Sequence, residues 1–272
     1  VYLEMLGERY RQMMELANRL QIPLEQVESR MLLVNHADAM DRVLHKWKFP
    51  KDLVNPIALH QLSLGNIRRL APRSLNEVAI LALANRLAHA LLLGNSGNLT
   101  LYPTEEFITT LRLNAKLIKN IEDSIPGQTD DIKYTMLAKT NQSAWPRVSD
   151  RLQEMLPMPF RPLYMGAEPD FDSLRIFCTQ MRTRGEGESP NVGIIHIRRG
   201  TEKVSLTTEY KKAESEAGVE NLPLIILSPK GDTMLEDGFM AKRHYKLLPF
   251  PITIQQFIRT LNELVLVPSG IN

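Results

Sequence analysis

The sequence predicts an α plus α/β protein: an all-helical domain over residues 1–150, then a smaller α/β domain over 160–272 built on a parallel sheet. Three observations predict it. Residues 1 to about 155 read as one helix after another. Five prolines (Pro146, Pro157, Pro159, Pro162 and Pro169) then crowd together, which suits a linker and the opening of a new domain. Beyond them, short apolar runs alternate with amphipathic stretches, the pattern of β-α units.

The helices follow in order. Leu3, Leu6, Tyr10, Met13, Ala17 and Leu20 recur at three and four, giving one apolar stripe that breaks at Ile22-Pro23. A second helix occupies 24–34, with Pro23 just before its first turn. A third, 36–48, stops at Phe49-Pro50, and a fourth, 51–62, carries Pro56, which predicts a kink or break there. Ser74 and Glu77 form a capping box opening the strongest helix, from Leu75 to Leu93, which ends at Gly94. Its run from Val78 to Ala84 is nearly all apolar, so it is expected at the centre of this half. A loop at 95–98 and helices near 105–123 and 129–140 follow.

In the second half, strands are expected at 163–166, 192–197, 222–228 and 245–248, with helices at 171–181, 207–215, 234–242 and 253–267 between and after them. The continuous apolar run ending at Ser228 marks a strand buried on both faces. Thr253 and Gln256 form a capping box for the last helix.

Composition narrows the function classes. Hydrophobic residues at 43% and charged residues at 24% over 272 residues are those of a globular protein with room for two cores. A net charge of +2 argues against a dominant pull toward nucleic acid or an anionic membrane. The one cysteine, Cys178, excludes an intramolecular disulfide and a multi-thiolate zinc site, and its neighbours Ile176, Phe177 and Met181 mark it as a small buried hydrophobe. No apolar run approaches the roughly 20 residues of a membrane span, and no leader pattern opens the chain, so a cytoplasmic location is expected. The chain opens at Val1 inside a helical pattern, so an upstream segment is expected. Arg68, Arg69 and Arg73 read as a solvated loop, Gly185 to Glu188 has the wrong charge for a phosphate cradle, and Ser228-Pro229-Lys230-Gly231 is a turn, not a Walker loop.

The order of strand, Ser228, crossover, strand, Pro249-Phe250 and terminal helix resembles the end of a response-regulator receiver domain, a flavodoxin-like fold. The resemblance implies an acidic pair, a phospho-accepting Asp, a hydroxyl and a Lys at the strand ends, because phosphoryl transfer needs a cation held by carboxylates and an acidic nucleophile. At those places this chain has Gly166 and Ala167, then Glu168; His196; Ser228; and Leu248, with Lys246 nearby. These six residues form a vestigial pocket in which aspartyl phosphate cannot form at His196. Only 28 positions separate Glu168 from His196, too few for the extra strand and helix of a full receiver, so an incomplete, four-stranded or irregular sheet is expected.

A second resemblance lies in the helical half. Glu28, Asn35-His36-Ala37-Asp38, Trp47, Phe49-Pro50 and His60 look like the later helices of the HDOD family, an all-helical relative of metal-dependent HD phosphohydrolases found in bacterial signalling proteins. The signature residues are Glu28, His36, Trp47, Pro50 and His60, while Leu33, Met40 and Gln61 depart from the pattern. HD hydrolases need an adjacent His-Asp pair at a two-metal centre. No such dipeptide occurs here, and His36 and Asp38 would point about 200° apart on a helix. No catalytic, cofactor-binding or metal-ligating residue is therefore assigned.

Together the resemblances imply a bacterial signal-transduction regulator of two-component type, non-catalytic, without phosphoacceptor activity, that works through contact with other signalling proteins. Receivers often pair through their last elements, which implies a homodimer through the helix between Thr253 and Val267. The alternative is a metal-dependent HD-type phosphohydrolase completed by residues upstream of the chain.

Overall fold

A computed structural model describes residues 5–20, 22–94, 100–137, 147–183, 189–198, 203–229, 235, 237–241 and 243–266. The expectations for Leu3, the loop at 95–98, the end of the helix at 138–140, Pro146, Gly185 to Glu188, the turn through Lys230-Gly231 and Val267 lie outside these residues.

The apolar stripe of the first helix, α1 (Glu8–Leu20), turns inward onto α2 (Leu24–Met31), where Tyr10, Met13, Ala17, Leu24 and Val27 form a small core of their own. Asn35 caps α3 (His36–Lys46) by accepting the Asp38 N–H. The next helix, α4 (Lys51–Leu59), runs on through Pro56 without the expected break. The bond lost there is to the Asp52 carbonyl in the first turn, and Asp52 is exposed, so water can replace the missing donor. After α5 (Leu64–Leu70), a tight helical turn at Pro72–Ser74 leads straight into α6 (Leu75–Ala90). The Ser74 capping box is not made, because Ser74 already belongs to that turn and donates its N–H to the Ala71 carbonyl.

Helix α6 is central, with Val78, Ala79, Ala82, Leu83, Leu87 and Ala90 buried. It ends three residues before Leu93, where Leu92 takes a left-handed conformation. The helix expected over 105–123 is instead divided. Arg112, also left-handed, separates α7 (Glu105–Thr110) from α8 (Ala115–Leu137), and Asn114 caps the latter through the Leu117 N–H. Helix α8 then passes through Pro126.

Past α9 (Val148–Glu154), four strands form one parallel sheet in the order β2 (Pro162–Gly166), β3 (Val192–His196), β4 (Leu224–Ser228), β5 (Tyr245–Pro249). Strands β3 and β4 are buried throughout, as their continuous apolar runs require. Helix α10 (Ser173–Met181) and helix α13 (Ile254–Leu266) cover one face with Phe177 and Phe257, whose rings meet edge to face at 5.4 Å. Helix α11 (Lys203–Glu216) and the short α12 (Asp237–Met240) cover the other with Leu206, Tyr210 and Phe239. Gly193 is required on that second face, since a Cβ there would collide with the Tyr210 hydroxyl and the Leu224 side chain. The Thr253 hydroxyl accepts the Gln256 N–H, so the cap of α13 forms as the sequence indicates.

The helical and α/β halves share one buried cluster, which runs from Leu64 through α6 and α10 to Leu264. A two-residue strand after α6, β1 (Thr100–Leu101), pairs antiparallel with β6 (Ile252–Thr253) just before α13. Thr104 donates to the Phe171 carbonyl, Ser173 donates to the Tyr102 carbonyl, and Arg175 grips the buried Glu122 carboxylate with two bonds of 2.9 Å.

Candidate functional site

The parallel register aligns the carboxyl ends of the strands. Gly166 stands beside His196, His196 beside Leu227, Leu227 beside Leu248, and Ser228 beside Pro249. In an open α/β sheet this edge is where ligands bind. Here it is filled from within. Strand β2 leads through a tight turn at Pro169–Phe171 to Asp172, which caps α10 by accepting the Leu174 N–H at 2.9 Å on Oδ1. Its Oδ2 accepts a bond from His196 Nδ1 at 2.6 Å and another from the Tyr164 hydroxyl, and Arg198 Nη2 lies 3.1 Å away. A carboxylate only accepts, so the proton in each of these bonds belongs to the imidazole and the phenol. Phe250 packs its ring 4.5 Å from that of His196.

Arg198 gathers carboxylates from three elements: Asp172, Glu105 of α7 at 2.8 Å, and Glu168 at 3.2 Å. Burial alone would raise the Asp172 carboxyl. The His196, Arg198 and Tyr164 contacts outweigh it and hold the group well below the usual carboxylate range. Burial pushes Glu105 up, with the Asp172 charge adding to it. Burial would lower Arg198, but Asp172 and Glu105 more than offset this and raise it. Burial beside Asp172 drives the Tyr164 phenol far up, so it stays a donor.

Glu105, Asp172 and His196 offer ligand atoms within 4.8 Å of one another, a geometry that could hold a metal ion. With Arg198 where it stands, however, its guanidinium already supplies the positive charge between Glu105 and Asp172, so a divalent cation would meet repulsion there.

Of the six residues expected in this pocket, Gly166, His196, Ser228 and Leu248 line the strand ends, with His196, Ser228 and Leu248 buried. Ala167 and Glu168 sit exposed on the turn that follows β2. Gly166 has a packing reason: a Cβ there would lie 2.8 Å from the Tyr164 hydroxyl. The residues that sequence reasoning missed are Tyr164, Asp172, Arg198 and Glu105. Asp172-Ser173 before an apolar run was a readable cap signal, but nothing in the spacing tied it to His196 or to Arg198.

In the helical half, Glu28 is fully buried and holds α1, α2 and α3 together. It accepts the Tyr10 hydroxyl at 2.5 Å, His36 Nδ1 at 2.5 Å and the His36 backbone N–H at 3.1 Å. Burial would raise Glu28, but the His36 and Tyr10 bonds overcome it and lower the group; the bond to Glu28 raises His36. His36 Nε2 lies 2.7 Å from the Gln61 amide. His60 bonds the Ile57 carbonyl at 2.7 Å, Pro50 opens α4, and Trp47 is exposed next to Phe49. Glu28 and His36 are thus brought together, whereas Trp47 stands apart. Arg86, unremarked in the sequence, is buried across the carbonyls of Ala82, His60 and Leu62 and over the Phe107 ring; burial lowers it to about 10.

The model of the HDOD domain matches residues 1–63, a family that ties this part of the chain to signalling. No curated protein and no solved structure matches the chain. Among the described residues no helix is long and apolar enough to cross a membrane.

Proposed function

We propose that this chain is a bacterial signal-transduction regulator whose second half is a degenerate receiver, and that it acts by contact with other signalling proteins without accepting phosphate. The observation that carries the reading is the enclosure of the Asp172 carboxylate by His196, Tyr164 and Arg198 at the strand ends. A phosphorylatable site needs a free carboxylate and room for a divalent cation. Here both the lone pairs and the cation's place are occupied by the protein's own groups. The distribution of helices supports the same reading: the first and last helices of the α/β half share one sheet face, and the middle two take the other. The apolar face of α13 is turned into this core, so a homodimer through that helix joins outer residues such as Arg259 and Glu263.

The second reading, a metal-dependent HD-type phosphohydrolase completed upstream, draws on the Glu28–His36 pair and nearby His60. Elemental analysis of the purified protein separates the two. The regulator reading expects no stoichiometric transition metal. Iron or manganese at one or two equivalents, lost on His36→Ala or His60→Ala, would decide for the hydrolase.

A further inference from the structure

Between α6 and α8 lies a cavity of about 500 Å³, within the roughly 300–1,000 Å³ span of small-ligand sites. Ile80, Leu83 and Leu87 form one wall, Leu111, Ile121 and Ile125 the other, and among the described residues every lining side chain is aliphatic. It is open to solvent on the side of Ala84 and Ile80, the latter 58% exposed.

The cavity does not stand alone. Leu91 and Leu93 also line a smaller polar pocket containing Thr129, Asp130, Lys133, Arg147, Ser149 and Gln180. There Asp130 pairs with Arg147 at 2.5 Å and with Lys133 at 3.9 Å, so two cations share one carboxylate. Among the described lining residues one positive charge is left over, beside the Thr129 hydroxyl and the Gln180 amide, while the Ser149 hydroxyl already donates to Asp150 at 3.3 Å. Apolar walls with a cationic end match a ligand that is hydrocarbon along its length and anionic at one terminus.

We propose that this pair of pockets binds a long-chain fatty acid, its tail between α6 and α8 and its carboxylate against Lys133 and Arg147. An amphipathic helix from another protein could also cover the aliphatic walls, but it would have to bring an acidic group or its C-terminus to that one end, which a fatty acid does with its terminal carboxylate. The site lies outside residues 1–63 and away from Asp172, so the proposal stands or falls independently of the regulator reading.

The test is displacement of an environment-sensitive apolar dye from the full chain by palmitate and by hexadecanol, each below its self-association concentration. Palmitate is expected to displace the dye, with hexadecanol about tenfold weaker through loss of the charged hydrogen bonds. Lys133→Met should bring palmitate close to the alcohol. Ala84→Trp, a bulky group at an exposed wall position, should abolish displacement while leaving the melting temperature within a few degrees of wild type. Failure of palmitate to displace the dye would overturn the proposal, as would equal affinity for acid and alcohol or indifference to Ala84→Trp. Displacement by an amphipathic peptide but not by palmitate would assign the groove to a protein partner instead.

Discussion

His196 Nδ1 stands 2.6 Å from Asp172 Oδ2, with His196 3% and Asp172 0% exposed. One residue ends the second strand of the sheet and the other begins the helix that follows the first. The pair therefore fixes the strand edge against α10, and through Arg198 and Glu105 it extends into the helical half.

Removing Asp172 leaves a guanidinium and an imidazole facing each other without their shared acceptor. Asp172→Ala is expected to destabilise the protein by about 3–5 kcal/mol, the usual cost of breaking a buried charged pair from one side. Asp172→Asn, which keeps the helix cap but not the charge, should fall between it and wild type. Urea unfolding of the three proteins measures this.

Stability should respond to pH in two opposite ways. Asp172 is held below its ordinary value of 3.8, so its contribution is complete above that pH and is lost as pH falls through the lowered native value. His36 is raised above 6.5, so its contribution is complete below that pH and is lost as pH rises through the raised native value. Urea midpoints across a pH series should show both limbs. Asp172→Asn should weaken the acid limb and leave the alkaline limb unchanged, whereas His36→Gln should flatten the alkaline limb and also weaken the acid limb, because the His36 bond is what lowers Glu28.

The buried Tyr210 hydroxyl has no hydrogen-bond partner among the described residues and lies where a Gly193 side chain would go. Tyr210→Phe should change stability by less than about 0.5 kcal/mol or increase it, since a buried, unmatched polar group is removed. Gly193→Ala should cost about 1–3 kcal/mol by overpacking. The double variant should recover only part of that, because Leu224 also crowds the position. Thermal melts of the three variants give the comparison.

Much of this fold was legible in the chain because the signals were local. The short apolar runs of β3 and β4 indicated buried strands, as found, and the Thr253 cap marked the start of α13 correctly. Where the reading slipped, context outside the local pattern decided. Arg112 in a left-handed conformation split one expected helix, and the turn at Pro72–Ser74 displaced the expected Ser74 cap. The two-residue strands β1 and β6 are too short to carry any periodicity. His196 was found through its place at a strand end, but Asp172, Tyr164, Arg198 and Glu105 were not. Their meeting is a tertiary event between four elements, and no spacing along the chain encodes it.

Arg198 stands between ligands that could otherwise hold a metal. Arg198→Met should free Glu105, Asp172 and His196, so that Mn²⁺ raises the melting temperature of the variant and leaves wild type unmoved. A wild type stabilised equally by Mn²⁺ would mean that the guanidinium does not close the site.

Incubation of the full chain with acetyl phosphate and Mg²⁺, followed by intact mass measurement, tests the central claim most directly. An unchanged mass is the expected result, because the only buried carboxylate at the strand ends among the described residues is already fully engaged. A phosphoryl adduct mapped to Asp172 or His196 would contradict it.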